Sequence, residues 1–322
     1  MVCAPKRARG IRVKSFKKSG KSSGLSAKEH SNKSTKRMRK IKISSGAYIA
    51  PSFLGVLAFF ILPFLVVIYY SLVDNPISGN FVFLDNFRNI IGNTAFRRAV
   101  HNTLMFSAVA VPLAVVLSLL LAIVLEAKLP FRSQFRTFFL SPMMVPVASI
   151  VLIWQVLFHY NGAVNEVLVA LGGGKVDWFK SDYALIVVVI LFLWKNLGYN
   201  MILFMAALAS IPKDILEVAQ LESAKPLQTF FYIKIRYLSS TLLFVAIMSL
   251  INSFKIFREV YLLTGDYPYD SIYTLQHFMN NKFKSLDYQT LSAAAILMSL
   301  VMIVIIGVLF IAEDRFGKDV EG

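Results

Sequence analysis

Apolar residues along this chain are gathered into six blocks, roughly 47–73, 103–125, 137–158, 183–208, 238–254 and 291–312, and are not dispersed as a soluble core would need. A helix rises 1.5 Å per residue, so about 20 residues cross a hydrocarbon layer ~30 Å thick. The blocks therefore predict an all-α integral membrane protein with six transmembrane helices. Only Lys195 is charged within any of them. The first block is too long for a signal-peptide core, has no small-residue cleavage site at its end and follows a 46-residue lead, which predicts a retained helix. The fifth is the shortest, at 17 residues, with an inward extension expected through Ile233 and Ile235.

Polar and helix-breaking residues inside the blocks carry the functional signal. Pro63, Pro142 and Pro146 remove backbone donors, which membranes tolerate where neighbours or water satisfy the freed carbonyls. They predict kinks, around a cavity or simply for packing. Ser292, Ala293, Ala294 and Ala295 open the sixth block with small residues that permit close helix contact. In the fifth block Ser249, Asn252 and Ser253 fall at i, i+3 and i+4 on one helical face. Asn196, Tyr199 and Asn200 repeat that spacing in the fourth, beside Lys195. A charge near the bilayer midplane costs ~2.5–3.5 kcal/mol on insertion scales, so Lys195 is expected to face a cavity or a partner. The amides and hydroxyls either bond to neighbouring helices or line a hydrated pathway. Sugars are read by such groups with aromatic faces beside them, which suits Asn252, Tyr199, Phe254 and Trp194.

Charge changes the picture at the amino terminus. Residues 1–42 hold 15 of the 34 Lys and Arg and a single acid, Glu29. Residues 1–46 therefore read as a basic, disordered tail. Only Phe16 interleaves the charges, so nucleic-acid binding is not expected, and contact with anionic membrane lipid is the better reading. Placing both termini in the cytoplasm puts 24 basic residues inside and 9 outside, as the positive-inside rule favours. Without the tail the two sides are equal at 9.

Gly20-Lys21-Ser22 hints at a phosphate loop, but Ser15 stands where the required Gly would be and no strand precedes it. Cys3 is the only cysteine, and His30, His101, His159 and His277 show no ligand spacing, so neither a disulfide nor a metal site is expected. A membrane enzyme would need paired acids, a His or a Ser-Lys dyad at membrane depth, which the blocks do not supply.

The most specific pattern is the polar loop between the fourth and fifth blocks, Glu217-Val218-Ala219-Gln220-Leu221-Glu222-Ser223-Ala224, followed by Phe230, Ile233 and Ile235. It resembles the EAA loop of binding-protein-dependent ABC importer permeases, with Glu222 where that family has Asp, Ser223 where it has Gly and Arg236 where it has Pro. Ser223 weighs against the sharp turn, because a residue with a Cβ enters positive φ less readily than Gly. Residues 47–312 also resemble the carbohydrate branch of these permeases. Leu84-Asp85-Asn86-Phe87 with Phe96 and His101-Asn102-Thr103, Leu140-Ser141-Pro142 through Pro146 to Trp154, and Leu262-Leu263-Thr264-Gly265 with Pro268 stand in the same order. Asp266 departs from a second Gly.

The resemblance implies the type I ABC importer permease fold and a transporter subunit with no catalysis of its own. It implies a coupling loop over about 209–238, in which Glu217, Ala219, Glu222, Ser223 and Ala224 meet an ATPase, and a short cytoplasmic end, 313–322. It also implies a second homologous permease, an ATPase dimer holding ATP and Mg, an extracytoplasmic sugar-binding protein and a bacterial cell membrane. The sugar-lining helices would be the fourth and fifth, with Lys195, Asn196, Tyr199, Ser249, Asn252 and Ser253 as the pathway. An importer of this fold for phosphate esters, peptides or amino acids is the alternative; anionic ligands would want more than one buried base.

Overall fold

The computed structural model describes residues 49–75, 77–126 and 131–317. The basic tail lies outside the described residues, as does the carboxyl end beyond Gly317. Among the described residues the chain is helical, apart from loops and one isolated bridge between Val73 and Phe81. Five helices are long and apolar enough to cross a membrane, or six if one sharply bent pair counts as a span.

The first, α1 (Ile49–Ser71), carries a π turn over Leu57–Ile61 immediately before Pro63, with the Leu62 N–H reaching back to Leu57 O. Pro63 has no N–H to continue the ladder, and the irregularity beside it takes the form of this π turn. After it come α2 (Asp85–Gly92) and the 33-residue α3 (Thr94–Glu126). α3 starts nine residues before its apolar block because Asn93 Oδ1 accepts from the Phe96 N–H and holds the first turn. Ala99, Ala110, Ala114, Ser118 and Ala122 are buried along it. Such small residues let helix backbones approach closely, the packing that lipid surroundings favour.

The third apolar block is not one continuous helix. It forms α4 (Arg132–Met144) and α5 (Val147–Leu157), bent by 101°. Pro142 stays inside α4 because the carbonyl it frees, Phe138 O, accepts from Ser141 Oγ at 2.8 Å. Pro146 does not: it pushes Val145 to φ −85°, ψ 134° and the chain turns there.

α6 (Ala163–Ala170) leads to α7 (Ala184–Ala209), the most buried span. Gly198 brings α7 so close to α4 that a Cβ there would meet Phe139 O at 1.9 Å. α8 (Lys213–Leu221) and a helical run over 226–237 form the polar loop. α9 (Ser239–Phe254) then continues, after a slight irregularity at Lys255, into α10 (Phe257–Thr264). The fifth block therefore extends in both directions, and its far half holds the charged Lys255, Arg258 and Glu259. α11 (Leu275–Lys284) and α12 (Tyr288–Gly317) complete the chain. Ala293 and Ala294 of α12 are fully buried against Ile90, Phe96 and Phe278.

Candidate functional site

A cavity of about 640 Å³ opens where α7, α9 and α10 meet the end of α4 and the start of α11. Lys195, Asn196 and Tyr199 reach it from the middle of α7, and Asn252 from α9. Asn196 Nδ2 donates to Phe192 O at 2.8 Å in its own helix. Its Oδ1 accepts from Asn252 Nδ2 at 3.0 Å, so one amide pair links α7 to α9 at the cavity wall. Gln276 joins these polar groups, with Phe192 and Phe257 as aromatic neighbours.

The two serines of the fifth-block stripe lie elsewhere. Ser249 accepts from Asn200 Nδ2 at 2.9 Å, and Ser253 lies 2.8 Å from Ser107 Oγ, all buried. They fasten α9 to α7 and to α3. At about 100° per residue Asn252 is turned ~60° from Ser249 and ~100° from Ser253, which brings it alone to the cavity edge. Of the aromatics expected beside the sugar, Phe254 is buried in another contact and Trp194 lies against Trp154, so neither lines the cavity.

Lys195 does not stand alone. It pairs with Glu259 Oε1 across the α7–α10 contact, and Arg258 Nη2 approaches the same oxygen at 4.0 Å. Glu259 is 3% exposed. Lys255 and Arg258 line the same cavity. Lys255, Arg258 and Glu259 lie beyond the end of the fifth apolar block at residue 254. The signal that places them in a helix is Ile256, Val260 and Leu263 at i, i+4 and i+7, with Glu259 on that buried face. His277, beside Gln276, adds no charge: burial holds its pKa down to about 4, and its Nδ1 meets Thr274 Oγ1 at 2.8 Å. Among the described residues no three His, Cys, Asp or Glu side chains gather to hold a metal ion.

The polar loop is a second surface of different character. Glu217, Glu222 and Ser223 are exposed, Ala219 is buried and Ala224 half-buried. The turn that Ser223 weighed against does form: Ser223 takes φ 57°, the left-handed region. The Ala224 N–H donates to Ala219 O and the Ser223 N–H to Gln220 O, both at 3.0 Å, which is the Schellman closure of a helix end. Beside it Asp214, Ile215, Val218, Ala219, Glu222 and Ile233 outline a groove of about 290 Å³. Leu216, Phe230 and Ile235 root the loop in the bundle against Leu208, Ile211 and Leu238. Lys234 Nζ also bonds Glu126 Oε2 at 3.0 Å, at the end of α3.

This arrangement, a polar cavity between spanning helices and a helical loop rooted under them, coincides with a family match over residues 114–322 to the binding-protein-dependent transport system inner membrane component. The chain belongs to that family. As a member it is a multi-pass membrane protein and a permease component, with the type I ABC importer permease fold. It is 29% identical over 276 residues to the trehalose/maltose transport system permease protein MalF of Thermococcus litoralis, covering 84% of this chain and 93% of that one. It is 28% identical over 261 residues to the sn-glycerol-3-phosphate transport system permease protein UgpA of Pectobacterium atrosepticum, covering 79% and 88%. A chain of a bacterial ABC transporter that imports the acidic polysaccharide alginate has the same fold, with TM-score 0.75, 19% identity, and coverage of 87% and 99%. A second structure of an alginate transporter, in complex with a periplasmic protein bound to alginate pentasaccharide, gives TM-score 0.76 at 19% identity.

Proposed function

We propose that this chain is one of two homologous permease subunits of an ATP-driven importer for a carbohydrate, an oligosaccharide by preference. The observation that carries the reading is the cavity midway along α7 and at the junction of α9 with α10, edged by Asn196, Asn252 and Tyr199. Amides and a phenol there match hydroxyls: Asn196 and Asn252 bond each other yet keep donor and acceptor capacity to spare, as does the Tyr199 hydroxyl. Binding sites near the midplane, beside irregular helices, are the general arrangement of transport proteins. A relative that carries trehalose and maltose supports the substrate class.

The polar loop is the link to a separate ATPase dimer, which holds ATP and Mg. Glu217 and Glu222 offer charge there, and Ala219 the low surface between them. Closure of the ATPase pulls the loop and rocks the helices, so that the cavity opens in turn to an extracytoplasmic binding protein and to the cytoplasm. Such coupling requires that the loop bind two ATPase states with different affinity. Both termini and the loop face the cytoplasm of a bacterial cell, in keeping with the charge bias.

Two substitutions test this. Glu217→Lys is expected to abolish uptake and loosen the ATPase while the chain still inserts, because removing one partner of an interfacial charge pair costs about 2–5 kcal/mol. Uptake at the unmutated rate would reject the coupling role. A cysteine replacing Gln220, with Cys3 removed, is expected to resist an impermeant thiol reagent added outside intact cells; labelling there would reject the orientation.

A further inference from the structure

We infer that the carbohydrate carried through the cavity bears an anionic group, a carboxylate or a phosphate, read by Lys255 and Arg258. The inference rests on the carbohydrate reading above and narrows it. Three cations, Lys195, Lys255 and Arg258, line the cavity against one acid, Glu259. Glu259 is already committed: it pairs with Lys195, and Arg258 reaches the same Oε1 only at 4.0 Å. Among the described residues that line the cavity, positive charges therefore exceed negative by two, beside Met143, Phe192, Met248, Ile256 and Phe257.

A cation near membrane depth is costly unless it finds water or an opposite charge. An arriving anion supplies that charge; a neutral sugar does not. Lys255 and Arg258 stand three residues apart on neighbouring turns, so their heads can converge on one group. A guanidinium presents parallel donors that suit the two oxygens of a carboxylate or phosphate, with the ammonium as a second charge. Arg258 keeps 66% of its side chain exposed, free to turn toward a ligand, whereas Glu259 is fixed by burial. The division of labour follows: Asn196, Asn252 and Tyr199 take hydroxyls on one side, and the two cations take the charge on the other.

The experiment uses the whole importer in proteoliposomes, with its partner permease, ATPase and binding protein. ATP-driven uptake is compared for a neutral trisaccharide, a uronate trisaccharide and a disaccharide phosphate, after the binding protein's affinity for each has been measured. The uronate or the phosphate is expected to enter at least tenfold faster than the neutral sugar once those affinities are allowed for, and which of the two leads identifies the anion. Lys255→Gln and Arg258→Gln should each lower anionic uptake about tenfold per assembled complex, and Arg258→Lys should retain part of it. Preferential entry of the neutral sugar overturns the inference and leaves the carbohydrate reading standing. So does anionic uptake unchanged in the double Gln variant. If none of the three sugars enters an importer that still hydrolyses ATP, the carbohydrate reading falls and this inference falls with it.

Discussion

In the cavity between α7 and α9, polar side chains lie inside an apolar bundle; along 213–238, apolar side chains stand outside on a polar loop. Each surface breaks the ordinary rule of burial in the opposite sense. Asn196, Asn252, Lys195 and Glu259 satisfy one another across helices, so the cavity wall is fixed before any ligand arrives. Leu221 is 85% exposed and Leu227 71%. Burying such a side chain gains about 1.5–3 kcal/mol, which is what the docking proposed for this loop would draw on. On the proposed function, specificity and force enter at different places: the cavity offers a preorganised polar site to a small ligand, and the loop offers an apolar, acidic-edged knob to a partner.

The largest effect is expected at the ion pair. Lys195→Met leaves Glu259 buried without its partner, which should cost ~3 kcal/mol. Pairing it with Glu259→Gln should recover much of the folded complex, as thermal unfolding of the purified protein will read. An additive double variant would mean that the pair does not hold α7 to α10. Next is the scaffold beneath the cavity. Gly198→Ala places a methyl against the Phe139 carbonyl and should destabilise by about 1–3 kcal/mol or shift α4. A variant as stable as the parent would deny the close approach of the two helices. The smallest effect belongs to the loop, where Ser223→Gly should relieve a left-handed Ser and stabilise by ~0.5–1 kcal/mol, while Ser223→Val should destabilise. Protease resistance of the loop distinguishes them, and equal cleavage of both variants would contradict the turn.

Much of this architecture was legible in the order of apolar blocks, because a spanning helix needs a long uninterrupted run and little else. The bend at Val145–Pro146 was not: Pro142 and Pro146 look alike in sequence, yet Phe138 O, freed by Pro142, takes the Ser141 hydroxyl and the helix continues, whereas Val145 before Pro146 turns extended. The extension of the fifth block beyond Phe254 was hidden by its own composition, since Lys255, Arg258 and Glu259 lower the hydropathy that marks a span. Ser249, Asn252 and Ser253 share a face in sequence, yet a rotation of ~60–100° decides which meets a helix and which meets the cavity. In the loop, Ser223 argued against a turn that the two backbone hydrogen bonds at the end of α8 nevertheless hold in place.

The most direct test of a sugar-reading cavity is Asn252→Ala, assayed by uptake of two related sugars and normalised to the amount of assembled complex. Losing one bond to a substrate hydroxyl costs ~1–3 kcal/mol, and the loss is larger for the sugar that carries the hydroxyl. The account predicts a changed ratio between the two sugars at near-constant abundance. An unchanged ratio with lowered abundance would show that Asn252 only fastens α9 to Asn196 of α7, and would contradict the account.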